Sequence, residues 1–122
     1  MENLDEAAKV LHMLGEKTQA QVMVARQLGA NWEQIATSLG VTRQAAWARY
    51  HKVCRAEDSY HGPQQLTGAL RHLQFLRART VKLEDKTARL VKAARTRGKS
   101  WEEIAVELGV RRQTAWERYG KS

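Results

Sequence analysis

Two of the three Arg-Gln dipeptides in this sequence lie in a pattern whose side chains could read the edges of DNA base pairs. They are Arg43-Gln44 and Arg112-Gln113, and each is followed by a tryptophan three residues after the glutamine. An arginine guanidinium can make two parallel hydrogen bonds to O6 and N7 of guanine, and a glutamine carboxamide can do the same with N6 and N7 of adenine. These residue types indicate sequence-specific contact with DNA, provided that the fold presents them together.

Both dipeptides belong to an internal repeat. Residues 25–52 align with residues 94–121 without a gap, at an offset of 69, and 17 of the 28 aligned positions are identical. All four tryptophans fall into equivalent pairs, Trp32 with Trp101 and Trp47 with Trp116. Such agreement indicates a duplication, so the fold should consist of one supersecondary unit that occurs twice.

Helices are expected to carry this repeat. The chain has one proline, and no stretch alternates apolar and polar residues for long enough to form a strand. Leucines at helical spacing predict two long amphipathic helices, at about residues 3–28 and 64–97, that could pack antiparallel. The first should run through Gly15, because the equivalent residue in the second copy is not glycine. Gly29 and Gly98 are placed to end these helices as C-caps.

Within each copy, the sequence after the long helix has the signals of two short helices separated by a tight turn. Asn31 and Ser100 are strong N-cap residues, and a glutamine or glutamate three positions later completes a capping box. Gly40 and Gly109 then supply the glycine that a tight turn needs. Two short helices joined in this way, with apolar residues facing a shared core, form the helix-turn-helix pattern.

Together these signals predict an all-α fold of duplicated three-helix helix-turn-helix units, joined by long amphipathic helices and related by a pseudo-two-fold axis. Glycine and proline at residues 58–65 predict a linker. The first repeat then covers residues 1–57, with its helix-turn-helix at 31–52. The second covers residues 66–122, with its helix-turn-helix at 100–121.

The runs WEQIATSLGVTRQAAWARY and WEEIAVELGVRRQTAWERY resemble the helix-turn-helix of the sigma-factor region-four and response-regulator superfamily. They are also similar to small actinobacterial regulators with the pattern W-E-x-I-A-x-x-L-G-V-x-R-Q-x-A-W. The resemblance covers about half of the chain, and it implies that the third helix of each unit enters the major groove. The residues that it places against DNA are Arg43, Gln44, Trp47 and Ala48 in the first copy and Arg112, Gln113, Trp116 and Glu117 in the second.

The charge of the chain fits a polyanionic partner. Lysine and arginine number 21 against 13 acidic residues, which gives a formal charge of +8 and a pI near 10.1. Further candidates for the DNA surface lie beside the third helices, where they would contact phosphates or hold the start of the helix. They are Thr42, Lys52, Lys99, Arg111 and Lys121. Unequal half-sites are predicted by four differences between the copies: Thr42/Arg111, Ala45/Thr114, Ala48/Glu117 and His51/Gly120.

Several residues of the repeat have alternative roles. Trp32 and Trp101 are expected to pack in the core of their own copy, since aromatic residues dominate core area. Trp47 and its equivalent either contact a thymine methyl group or sugar, or cover the joint between the copies. Arg49 and its equivalent either pair with Glu33 and its equivalent or stay solvated.

Enzymatic chemistry is not predicted, and no cofactor or metal is expected. The four histidines lack metal-ligand spacing, and the single cysteine, Cys54, has no partner cysteine. The chain has neither a glycine-rich phosphate loop nor a nucleophile elbow. No apolar run approaches the roughly 18 residues that cross a bilayer. The expected location is therefore the cytoplasm, in association with the nucleoid.

The favoured function is a sequence-specific double-stranded DNA-binding protein, a small bacterial, phage or plasmid transcriptional regulator that places two recognition helices in adjacent major grooves. It would act as a monomeric pseudo-dimer or as a homodimer, on inverted or direct half-sites. One alternative is a protein-interaction module that binds RNA polymerase or another partner. The other is an architectural DNA-binding protein of the nucleoid or of plasmid partition.

Overall fold

The regular elements of this protein are helical, as its sequence predicts. A computed structural model describes residues 3–54 and 62–120, and every regular element in these ranges is a helix. No helix in the described ranges is both long enough and apolar enough to span a membrane. The helices are α1 (Leu4–Gln27), α2 (Trp32–Leu39), α3 (Arg43–Tyr50), a 3₁₀ turn (His51–Val53), α4 (Leu66–Thr96), α5 (Trp101–Leu108) and α6 (Arg112–Tyr119).

The two long helices end at the glycines that the sequence indicates. Helix α1 continues through Gly15 without a break. It stops at Gly29, whose φ of 99° is accessible to glycine at low cost. The Ala30 N–H donates to the Ala25 carbonyl at 2.9 Å, which completes a Schellman-type cap. Helix α4 ends in the same way at Gly98, whose φ is 91°.

The described residues form two compact units, and each takes segments from both copies of the repeat. One unit consists of residues 14–79 and the other of the residues up to Met13 together with those from Thr80 onward. The predicted domain boundary at the linker, residues 58–65, follows from the duplication in the sequence and stays a prediction. Of that linker, residues 58–61 lie outside the described part of the chain.

The core of the 14–79 unit is closed by the first half of α4. Val22 of α1 and Ile35 of α2 are fully buried, and they belong to the same apolar cluster as Leu73 of α4. Gln21 is also buried, and its side-chain amide donates to the Ala69 carbonyl at 3.3 Å. Helices α2 and α3 of the first copy are therefore packed against a helix of the second copy.

The core of the other unit is built in the same way, with a residue of the first copy added to the short helices of the second. Ile104 of α5 and Val91 of α4 are buried in one cluster with Leu4 of α1. Leu4 is the equivalent of Leu73 at the offset of 69. The same repeat position thus supplies a buried leucine to each core, in each case to the short helices of the other copy.

Candidate nucleic-acid interface

Helix α2 and the turn after it are held by local hydrogen bonds. The Asn31 side chain accepts from the Gln34 N–H at 2.7 Å, and the Gln34 side chain accepts from the Asn31 N–H at 2.9 Å, so the predicted capping box is present. Gly40 ends the helix with a φ of 67°. Because only glycine adopts this left-handed conformation easily, the sequence determines where α2 stops and where α3 begins.

The second copy repeats this geometry. Ser100 and Glu103 form the capping box of α5, with hydrogen bonds of 3.1 Å in both directions. Gly109 ends α5 with a φ of 69°. The turn that joins α2 to α3 and the turn that joins α5 to α6 therefore have almost the same backbone conformation at their glycines.

Helix α3 buries one face and exposes the candidate reading face. Ala46 and Tyr50 are buried in the core of the 14–79 unit. All four residues that the sequence predicts for DNA contact on this helix are exposed: Arg43, Gln44, Trp47 and Ala48. The exposed fraction of Trp47 is 43%, which is large for a tryptophan on a helix that packs against a core.

Helix α6 is arranged in the same way. Ala115 is buried, and Tyr119 lies partly buried against the core of its unit. The predicted contact residues of this helix are again exposed, and the exposed fraction of Trp116 is 42%. These residues are Arg112, Gln113, Trp116 and Glu117.

A shallow cleft brings three of the predicted residues of the first copy together. Arg43, Gln44 and Trp47 line it, and Trp32 forms the remaining wall. Trp32 is partly buried and packs against the core cluster of its unit, so the expectation that it is a core residue is confirmed. The same indole also borders the candidate interface, which the sequence did not indicate.

The two exposed tryptophans have different neighbours. The Trp47 indole stacks on the His51 imidazole, with ring centroids 3.9 Å apart and planes 3° from parallel. His51 Nδ1 also lies 2.7 Å from the Trp47 carbonyl oxygen. In the second copy the equivalent of His51 is Gly120, and a Cβ there would lie 2.6 Å from Cδ1 of Trp116. The Trp116 indole therefore occupies space that a side chain would fill.

The two glutamines also differ. Gln113 Nε2 donates to Glu117 Oε1 at 3.0 Å, which ties two predicted contact residues to each other. Gln44 faces Ala48 one turn later, and within residues 3–54 and 62–120 its carboxamide has no hydrogen-bond partner. The first copy thus presents a free carboxamide, while the second would have to break a hydrogen bond to use its own.

The predicted residues outside the reading face have varied surroundings. Thr42 caps α3 by accepting from the Ala45 N–H at 3.1 Å, whereas Arg111 gives α6 no side-chain cap. Lys99 Nζ pairs with Glu107 Oε1 at 2.9 Å, so its charge is partly neutralised. Lys52 is exposed. Lys121 lies outside the described residues.

Arg49 and Arg118 take the solvated alternative. Both are exposed, and in the described part of the chain neither forms an ion pair with Glu33 or Glu102. The guanidinium of Arg118 does act at a distance on Tyr119. Burial raises the pKa of the Tyr119 phenol, and the charge of Arg118 opposes that rise.

Two arginines that the sequence reasoning missed brace the start of the short helices. Arg26 Nη1 donates to the Ala30 carbonyl at 2.8 Å, and its guanidinium lies 4.8 Å from the centroid of the Trp32 ring. Arg95 makes the equivalent hydrogen bond at 2.9 Å and lies 5.0 Å from the centroid of Trp101. Arginine is present at this position in both copies, and that identity was the available signal.

A third arginine, Arg77 of α4, lies against the α2–α3 turn at Gly40. The repeat could not have indicated it, since its equivalent in the first copy is Ala8.

The described residues contain no candidate metal site. In residues 3–54 and 62–120, no three histidine, cysteine, aspartate or glutamate side chains come together as metal ligands.

Cys54 is a partly buried thiol at the end of the 3₁₀ turn. Burial raises its pKa, and the nearby positive charge of Arg26 opposes that rise. A thiol with a raised pKa is a weak nucleophile at neutral pH, so this cysteine has the character of a packing residue.

Comparison of the chain with protein-family models, with curated proteins and with solved structures finds no match.

Proposed function

We propose that this protein binds double-stranded DNA in a sequence-specific manner, with α3 and α6 as recognition helices in adjacent major grooves. The observation that carries the proposal is the exposure of an Arg-Gln pair in the first turn of each helix, while Ala46 and Tyr50 of α3 and Ala115 of α6 are buried. An exposed first turn with donors of this kind is what a helix-turn-helix presents to base edges. The biological role that fits best is that of a small bacterial, phage or plasmid transcriptional regulator.

The electrostatics support a polyanionic partner. Neither α3 nor α6 has an acidic residue in its first turn, and each begins with an exposed arginine. The N-terminal ends of helices carry partial positive charge, so the approach of a phosphate backbone is favoured at both places. The formal charge of +8 adds long-range attraction that weakens as salt is added.

The two copies are proposed to read different half-sites. Gln44 has no hydrogen-bond partner among residues 3–54 and 62–120 and could contact an adenine, whereas Gln113 donates to Glu117. In the second copy, Glu117 itself can accept from the amino group of cytosine. An imperfect palindrome or an imperfect direct repeat is therefore the expected target.

The test starts from a random pool of duplexes, from which the wild-type protein selects its preferred sequence. Arg43→Ala and Arg112→Ala should each cost about 1–3 kcal/mol of binding free energy on that sequence and relax the base preference at one position. Lys99→Ala should weaken binding to all duplexes alike. Fluorescence anisotropy with labelled duplexes measures both effects.

Arg49→Ala is the matched control, since it removes the same charge from an exposed position of α3 outside the predicted contact set. It should change affinity less than Arg43→Ala does. Equal affinity of the wild-type protein for every duplex in the pool would favour the architectural alternative. Absence of duplex binding at low salt would overturn the proposal and leave the protein-interaction module.

A further inference from the structure

We infer that Arg77 of α4 is a phosphate-contacting residue that only the first helix-turn-helix possesses. The inference rests on the proposed function and adds to it a contact supplied by the long helix of the other copy. The ligand is a phosphodiester group of the DNA backbone next to the half-site that α3 reads.

The position of the Arg77 guanidinium is defined by its contact with Gly40. A Cβ at Gly40 would collide with three atoms of this group, Cζ, Nε and Nη2, all at nearly the same separation. The planar group therefore lies against the α2–α3 turn, close to the Gly40 α carbon. Glycine at this position thus has two roles, because it permits the left-handed turn and leaves room for the arginine.

The Arg77 guanidinium lies close to the α2–α3 turn but donates no hydrogen bond to it. Arg77 is exposed, and in the described part of the chain it forms no hydrogen bond or ion pair. The last turn of α2 already has its own donors, since the N–H groups of Gly40 and Val41 donate to carbonyls of Ala36 and Thr37. A guanidinium carries five N–H donors and a permanent charge, so all of them remain available for an outside acceptor.

The location suits a phosphate. Two residues after Gly40 come Thr42 and the start of α3, where Arg43 is exposed. A recognition helix in the major groove brings the turn before it close to the backbone of the duplex. Arginine binds phosphate through two parallel N–H donors, and packing of Arg77 on the turn lowers the entropy that it loses on binding.

The second copy lacks this feature. The equivalent of Arg77 is Ala8, and a Cβ at Gly109 would have no atom within 4 Å. The turn between α5 and α6 is thus open where the turn between α2 and α3 is covered. The half-site that α3 contacts should therefore include one phosphate contact more than the half-site that α6 contacts.

The test compares wild type, Arg77→Ala and Arg77→Lys on the selected duplex over a salt series. Each phosphate contact contributes about 0.9 to the slope of log K against log salt, so Arg77→Ala should reduce that slope by about one. Between 50 and 200 mM salt the wild-type protein should lose about 3–4-fold more affinity than the variant does. Arg77→Lys keeps the charge and should keep the slope.

Three further measurements separate a phosphate contact from a structural role. Arg79→Ala removes an exposed arginine of the same helix whose guanidinium lies 5.7 Å from the Phe75 ring, and it should leave more of the slope intact. In a phosphate-ethylation interference experiment, Arg77→Ala should no longer show interference at one phosphate in the half-site of α3. Every interfering phosphate in the half-site of α6 should remain. The thermal unfolding midpoint of Arg77→Ala should stay at the wild-type value.

The outcomes distinguish this inference from the function on which it rests. If the wild-type protein binds its duplex and Arg43→Ala loses base preference, but Arg77→Ala keeps the full salt slope, only the role of Arg77 is overturned. An equal change of slope in Arg77→Ala and Arg79→Ala overturns it as well. If the wild-type protein binds no duplex at low salt, both proposals are overturned.

Discussion

Trp47 and Trp116 show how far equivalent residues can differ when one neighbour changes. The Trp47 indole is stacked on His51, while the Trp116 indole lies where glycine leaves space at position 120. A stacked indole has fewer orientations available, so it loses less entropy when it contacts a ligand. The single difference between His51 and Gly120 therefore changes how each copy presents its aromatic residue.

At the same scale, Arg26 should contribute measurably to stability. Its guanidinium donates to the Ala30 carbonyl and lies over the Trp32 ring. Arg26→Ala removes both interactions, and we expect a loss of about 1–2 kcal/mol in the free energy of unfolding. Urea unfolding followed by circular dichroism measures it. Arg49→Ala, which removes an exposed arginine with no ion pair among residues 3–54 and 62–120, should stay within about 0.5 kcal/mol of wild type. Equal effects of the two variants would contradict the bracing role of Arg26.

Among the elements, α3 and α6 differ at their N-cap residues, Thr42 and Arg111. Thr42 satisfies the Ala45 N–H, and Arg111 satisfies no N–H group with its side chain. A cationic residue at this end of a helix also opposes the helix dipole. The presence of arginine at position 111 is unfavourable for α6 by itself, which is consistent with a role toward an outside anion.

Arg111→Thr should therefore change stability and binding in opposite directions. A threonine N-cap is expected to stabilise the protein by about 1 kcal/mol, as measured by urea unfolding. Removal of the cation should weaken binding to every duplex and lower the salt slope. Thr42→Ala is the reciprocal control, and it should lose about 1 kcal/mol of stability. A variant with unchanged stability, or with tighter DNA binding, would contradict this account of Arg111.

The capping boxes of α2 and α5 should respond differently to acid. Hydrogen bonds from the backbone and side chain of Ser100 lower the pKa of Glu103 below its usual 4.5, and the nearby charge of Lys99 lowers it further. A carboxyl with a depressed pKa in the folded state stabilises the fold at pH values above its unfolded pKa. That stabilisation is lost as the pH falls through the folded pKa. Gln34, the equivalent residue of α2, does not titrate.

Glu103→Gln should remove this acid sensitivity from α5. At neutral pH the glutamine can still accept from the Ser100 N–H but lacks the carboxylate charge, so the variant should unfold at a somewhat lower urea concentration than wild type. Between pH 5 and pH 3, its stability should fall less steeply than that of wild type, because one carboxyl fewer takes up a proton on unfolding. Unfolding curves at a series of pH values measure the difference, and parallel pH profiles for the two proteins would contradict it.

For the molecule as a whole, each core includes a long-helix residue from the other copy of the repeat. Leu73 is fully buried in the cluster that holds α2 and α3, although it belongs to the second copy of the repeat. Leu4 has the corresponding place in the other cluster. The core beside each pair of short helices, α2 with α3 and α5 with α6, therefore includes residues of the other copy.

Leu73→Ala should cost about 2–5 kcal/mol, since it removes a fully buried side chain and leaves a cavity. Denaturant unfolding measures the loss. Val106→Ala shortens a side chain that is 77% exposed, and it should stay within about 0.5 kcal/mol of wild type. A chain of residues 1–57 alone lacks Leu73 and should give a circular dichroism spectrum with little helix. A stable, helical 1–57 fragment would contradict the shared core.

The sequence by itself determined the features whose causes lie within a few residues. Asn31 and Ser100 start helices because their side chains accept from an N–H group three residues later, and Gly40 and Gly109 end them because glycine tolerates a positive φ. The helical period places Ala46 and Tyr50, one turn apart, on the same buried side of α3, while Arg43 and Gln44 are exposed in its first turn. Such short-range effects can be recognised in any window of about ten residues.

Only the tertiary structure decided which distant segments meet. The leucine stripes predicted amphipathic helices but not that Leu73 would close the core of the first copy and Leu4 that of the second. The placement of Arg77 against Gly40 follows from that packing, because α4 carries the arginine to a turn 37 residues earlier in the chain. Apolar burial is non-directional, so a pattern of leucines fixes which face is buried and leaves the choice of partner to the complete fold.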